Sequence, residues 1–287
     1  MRRRSAAIDD EGRNLRLSFV EWGDPQGPPV VCVHGLTRNA RDFDALAAAL
    51  ATRGARVLCI DVAGRGESDW LTDPMRYTVA VYARQLAALL DTLGLAAVDW
   101  VGTSMGGLIA LDIARRTPGR LRRLVLNDIG PFVSREALVP IRGYLGLDLA
   151  FANLDQAEAH LRTIHAGFGP LADRIWRHLA AHSVRFDGDR LRLHYDPRIR
   201  DPFLATADTG IDMWEAWQRL ACSVLVLRGA ESAILDTTTL QRMTRSGPPV
   251  RIVEFPGVGH APALFDPAQI EVVVEFLAPV PAAPGSA

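Results

Sequence analysis

The sequence predicts an α/β fold: a mostly parallel central sheet with helices on both faces and an inserted, mainly helical cap. Short β-branched runs alternate with longer segments of helical pattern, as in strands joined by crossover helices. One connection breaks the alternation. Gly130 and Cys222 lie 222 − 130 = 92 residues apart between two strand-like runs, far more than an ordinary crossover uses. A chain of 287 residues is long enough to bury one large core and carry an insertion.

In chain order, "LRLSFVEWG" reads as an antiparallel edge strand. "PVVCVHG" and "RVLCID" are strands, with "RDFDALAAALATRG" between them as a helix, and "VDWVG", "LRRLVLND", "SVLVLRG" and "VRIVEFPG" supply four more. Most carry the near-continuous hydrophobicity of strands covered on both faces. Residues 132–213 form the predicted cap, and 1–131 with 214–287 the core. In the cap, Leu154, Ala157, Leu161 and Ile164, and Leu171, Ile175 and Leu179, recur at helical spacing. "VRFDGDRLRLHY" reads as a hairpin with an Asp-Gly turn, which puts Arg190 and Arg192 on a solvated face. The terminal "PVPAAPGSA" is a Pro/Ala/Gly tail expected to be disordered.

Composition excludes several function classes. Thirty-two basic against 33 acidic residues give 32 − 33 = −1 with no long run of one sign, so nothing asks for nucleic acid or an anionic membrane. No apolar stretch approaches the roughly 18 residues of a membrane span, and "MRRRSAAIDDEGR" lacks the apolar segment of a secretory signal. A cytoplasmic location is expected. Cys32, Cys59 and Cys222 are odd in number and sit in or beside apolar strands, as buried reduced thiols do.

Chemistry enters at "VGTSMGG". Ser104 follows a strand at once and precedes the helix-like "LIALDIARR", with glycines at 102 and 106 in G-x-S-x-G spacing. So tight a reversal projects the hydroxyl at the sheet edge, and the small flanking residues let strand and helix approach. A serine nucleophile needs a base, and "FPGVGHAPALF" places His260 in a Gly-rich loop after the last strand. His34, in "HG" after a strand, is expected to be structural. Attack on an ester carbonyl puts negative charge on its oxygen, which backbone N–H groups can stabilise. Met105 follows the nucleophile and Leu36 follows Gly35, so their amides are the expected oxyanion donors.

Taken together, "VCVHG", "DVAGRGESD" with its Asp61, Gly64, Gly66 and Ser68 pattern, "VGTSMGG", "LVLND" and "GVGHAP" resemble an α/β-hydrolase of the capped serine esterase type. The resemblance runs from about residue 15 to 278 apart from the cap. It implies Ser104 as nucleophile, His260 as base, and no metal or organic cofactor. The chain departs from the commoner pattern at "RGAESAILD". Relatives carry an Asp three residues after the glycine, where this chain has Ser232, and some carry it one place further on, where it has Ala233. Asp236 precedes "TTTLQRMTR" as a helix N-cap would. Glu231 is one residue from the usual acid and stays a candidate.

Asp128 is favoured. A helix from Met105 to Arg116 descends about 18 Å and a strand from Leu121 to Asn127 climbs about 23 Å, returning the chain to the edge it left. A branch of esterases that this chain resembles, with an S-x-M turn and Ser in place of the usual acid, takes its acid from this neighbouring strand.

The expected activity is hydrolysis of carboxylic esters with small or medium apolar acyl groups through an acyl-enzyme, with lactones and thioesters left open. A C–C bond hydrolase or lyase on the same scaffold, and a non-catalytic small-molecule receptor, are the alternatives. The only partner expected is a small-molecule ester. Phe151, Phe168, Trp176, Trp214 and Trp217 hint at an apolar pocket, but at helical spacing they read first as core. His178 and His182 share a helix face without an evident third ligand, so zinc is not expected.

Overall fold

A computed structural model describes residues 1–278; the predicted tail at 279–287 lies outside them. Eight strands form the main sheet: β1 (Arg2–Asp9), β2 (Asn14–Trp22), β3 (Pro29–Val33), β4 (Arg56–Ile60), β5 (Val98–Thr103), β6 (Leu121–Asn127), β7 (Ser223–Gly229) and β8 (Val250–Phe255). Their order is β1-β2-β4-β3-β5-β6-β7-β8, with β3 to β8 mutually parallel and β2 antiparallel to both its neighbours, β1 and β4. β2 is the predicted antiparallel strand, but the edge is β1, which sequence reading missed. Its pattern "RRRSAAID" buries only one residue, Ile8, so it has almost no apolar periodicity to see, and its place depends on full pairing with β2 from Arg2↔Glu21 to Asp9↔Asn14.

Two apolar layers cover the sheet. On one face α1 (Asp44–Thr52) and α10 (Pro267–Leu277) pack around Phe43, Leu46, Leu50 and Val273. On the other, α2 (Val79–Thr92) and α3 (Met105–Arg116) bury Leu86, Leu89, Leu108 and Ile109, and this layer continues into the segment between β6 and β7. Both faces of the central strands are therefore dry, which is why β3 reads as an unbroken "PVVCV".

Between β6 and β7 the chain forms α4 (Arg135–Arg142), α5 (Leu154–Ile164), α6 (Asp173–Ser183) and α7 (Arg200–Thr209), then α8 (Trp214–Gln218). Val184–Asp187 and Arg190–Leu193 pair as the predicted hairpin, with Ala150–Phe151 as a third strand. The two ends of the excursion are zipped together, Phe132 opposite Asp212 and Val133 opposite Ile211. Trp176, Trp214 and Trp217 are buried in packing, as their helical spacing suggests. After β7 comes α9 (Thr237–Arg245). Cys32, Cys59 and Cys222 are buried free thiols, and no helix of the described residues is long and apolar enough to cross a membrane.

Candidate active site

The turn that carries Ser104 is built by what its glycines exclude. A Cβ on Gly102 would lie 2.5 Å from the Gly106 backbone, and one on Gly106 would lie 2.0 Å from the Val33 carbonyl oxygen. Only glycine lets α3 start directly against β5 and β3. Between them Ser104 takes φ 50° and ψ −114°, a conformation L-residues rarely adopt, which turns its side chain out at the carboxyl edge of the sheet. Gly35 lies alongside, its Cβ position 3.7 Å from that of Ser104.

Three side chains from three elements meet there. His260, on the loop between β8 and α10, has Nε2 3.0 Å from Ser104 Oγ and Nδ1 2.6 Å from Asp128 Oδ2. The carboxylate accepts from Nδ1–H, which leaves the Nε2 lone pair to face the serine hydroxyl. Asp128, wholly buried just past the end of β6, has φ 55°, and its Oδ1 accepts from the Gly229 amide at 3.0 Å. Asn127 supports the assembly from below: its Nδ2 donates to Thr103 Oγ1 and to the Pro262 carbonyl, tying the histidine loop to the strand ends.

The opening at "RGAESAILD" is resolved by contacts. Ser232, at the position of the usual acid, donates its hydroxyl to Asp128 Oδ2 at 2.6 Å and accepts from the Ile234 and Leu235 amides. The residue that replaced the acid thus holds the carboxylate that lies beside His260. Glu231 is exposed, outside this cluster. Arg228, two residues before the turn, pairs with Glu254 at 2.5 Å, the residue opposite it on β8. Asp236 is the N-cap of α9, accepting from the Thr239 amide at 2.6 Å.

Met105 opens α3, so its amide is among those left without a partner inside the helix. Leu36 and Ser104 line the same two cavities. His34 is wholly buried, accepting from the Val62 amide on Nε2 and donating from Nδ1 to the Gly35 carbonyl. Burial pushes its pKa down to about 3, so its neutral ring splices two loops.

His178 and His182 do have a third donor that sequence reading missed, because Asp44 reaches them from α1. Asp44 already holds the Arg41 guanidinium, through both oxygens, and Arg41 also lies 3.4 Å from His182 Nδ1. The cluster is an ion pair capped by two imidazoles.

Two cavities open from Ser104. The larger, of about 460 Å³, is walled mainly by apolar side chains including Leu108, Ile129, Val133, Leu138, Ile141 and Phe203, and among the described residues no arginine or histidine lines it. The smaller, of about 90 Å³, lies on the His260 side and includes Arg38, His165 and Phe168.

Residues 28–267 match the family model for the alpha/beta hydrolase fold. The chain is 42% identical to a 3-hydroxybutyrate-oligomer hydrolase of Cupriavidus necator, an alignment covering 91% of this chain and 92% of that protein. It is 29% identical to a 2-(acetamidomethylene)succinate hydrolase of Mesorhizobium japonicum over 88% of this chain and 87% of the relative. Among solved structures, an alpha/beta hydrolase from Novosphingobium aromaticivorans superimposes with a TM-score of 0.85 at 38% identity, covering 96% of this chain and 97% of that one. Fold, motif order and relatives agree: the chain belongs to the α/β-hydrolase fold family.

Proposed function

We propose that the protein hydrolyses carboxylic esters through an acyl-Ser104 intermediate. The observation that carries the reading is the unbroken chain Ser104 Oγ, His260, Asp128, at 3.0 and 2.6 Å. His260 Nε2 takes the hydroxyl proton as Oγ attacks the carbonyl carbon, and the Asp128 carboxylate stabilises the imidazolium. The amides of Met105 and Leu36 receive the oxyanion. Collapse of the tetrahedral intermediate passes the proton from Nε2 to the departing alcohol. Water, activated by the same nitrogen, then releases the acid.

The cavities support the substrate class. The large apolar one suits an uncharged acyl or alkyl chain, which gains by leaving water. The segment 132–213, which supplies Val133, Leu138, Ile141 and Phe203 to it, is the natural selector. A substrate with several carboxylates would need a free cation there, and Arg38 in the smaller cavity is already paired with Asp42 at 2.6 Å. The named activity of the Cupriavidus necator relative makes short oligo-esters of hydroxy acids the first natural substrates to try.

The test is to follow acid release from p-nitrophenyl esters of graded chain length and from 3-hydroxybutyrate dimer and trimer. Turnover with trapping of acyl-Ser104 by mass spectrometry is expected. Inertness toward all of them, with turnover of 2-(acetamidomethylene)succinate, would move the enzyme to the C–C and C–N branch of the fold.

A further inference from the structure

The "DVAGRGESD" stretch holds a residue that the proposed mechanism leaves unused. Arg65 is wholly buried, yet among the described residues no carboxylate pairs with it. Its fork is spent on neutral acceptors: Nε donates to the Leu36 carbonyl at 2.9 Å, Nη1 to the Ala63 carbonyl at 2.8 Å and Tyr82 Oη at 2.5 Å, and Nη2 points at Met105 Sδ at 3.8 Å. The Tyr82 and Tyr77 rings lie 5.0 and 5.6 Å from its Cζ. A desolvated guanidinium without a counter-ion is costly, and carbonyls and aromatic faces offset only part of the cost.

What the side chain touches gives it a purpose. Leu36 and Met105 are the two residues whose amides would receive the oxyanion, they come from the loop after β3 and the start of α3, and Arg65 reaches both, donating to the Leu36 carbonyl and facing the Met105 thioether. The backbone around it is equally fixed. Gly64 and Gly66, at φ +82° and +52°, leave no room for a Cβ against Tyr77 and Asp61. Gly66 N donates to the His194 carbonyl, and Asp196 N to the Gly64 carbonyl.

We infer that Arg65 is a positioning residue of the oxyanion hole: its guanidinium holds Leu36 and Met105 in mutual register, so that their two amides face the same point. The inference rests on the ester-hydrolase reading above. Donors held in register before the reaction need no reorganisation when the tetrahedral intermediate forms, so the brace acts on the transition state more than on substrate binding.

The test compares Arg65→Met and Arg65→Lys with the wild-type chain in p-nitrophenyl butyrate turnover and in inhibition by butylboronic acid, which forms a tetrahedral anion on a serine. Each variant's fold is checked by circular dichroism and melting. Arg65→Met is expected to lower kcat about 100-fold with KM within about threefold, the size of losing one oxyanion donor. Boronate inhibition should weaken by a similar factor. Arg65→Lys keeps the charge but cannot span both partners, and kcat is expected about 10-fold below wild type; this variant decides the matter if the methionine does not fold. A folded variant of either kind with wild-type kcat and boronate affinity overturns the inference, as does a loss carried by KM alone. A wild-type chain inert toward esters overturns the ester reading, and this inference with it.

Discussion

At the scale of single residues, the proposed chemistry turns on which acid faces His260. Asp128 is buried against His260 Nδ1, while Glu231 is exposed and Asp236 caps a helix. Asp128→Asn should lower kcat by up to about 10⁴, because the amide no longer holds the tautomer or balances the imidazolium. Glu231→Gln should stay within about twofold, and Asp236→Asn should be nearly silent since Asn caps as well as Asp. Ser232→Ala is the subtler probe: it removes one hydrogen bond to the carboxylate but leaves the Gly229 amide in place, so a fall in kcat of about tenfold is expected, corresponding to roughly 1.4 kcal/mol. Steady-state kinetics on all four variants decide the assignment; activity kept in Asp128→Asn and lost in Glu231→Gln would reverse it.

Among elements, the strand-turn-helix unit of β5 and α3 is the most constrained. Ser104→Ala should abolish ester turnover with little change in melting temperature, as the hydroxyl makes no core contact that the methyl loses. Gly106→Ala should act the other way. Its new methyl would lie 2.0 Å from the Val33 carbonyl oxygen, a backbone atom that cannot yield, so a stability loss of about 3 kcal/mol or more is expected in urea titration. The two substitutions separate chemistry from architecture within one turn.

Across the whole molecule, the segment 132–213 is fastened to the core beside the reacting groups. The Gly167 carbonyl accepts from the Gly259 amide at 2.7 Å, next to His260, and Arg38 and Asn39 bond Ser183 and the His182 carbonyl. Substitutions at Leu138 or Phe203 should therefore change relative rates across an acyl-chain series far more than the rate on the shortest ester; a series left unchanged would remove the segment as selector. Stability should also depend on pH. Burial holds His34 at about 3 and His182 at about 4, so below about 6.5 the unfolded chain takes up protons that these folded rings refuse. Their contribution is present above that pH and lost as it falls. Asp61, raised by burial to about 6, works in the opposite sense between 6 and about 4, but one carboxyl offsets only one imidazole. Melting temperature should drop from pH 6.5 to 4, and His182→Gln should flatten that slope by about one proton.

The sequence by itself determined the parallel core, the excursion after β6, the strand-turn-helix at Ser104 and the loop of His260. These rest on local signals: hydrophobic period, glycine spacing and a gap too long for a crossover. It could also place Asp128 at the right edge by counting helix and strand rise. Tertiary structure decided what counting cannot. That Ser232 grips Asp128, that Asp44 joins His178 and His182, and that Arg65 touches Leu36 and Met105 are contacts between residues 29 to 138 positions apart, and that Glu231 faces solvent is set by the direction of a turn. β1 was invisible for a related reason, since an exposed edge strand is specified by its partner's free hydrogen-bonding groups and leaves no pattern of its own.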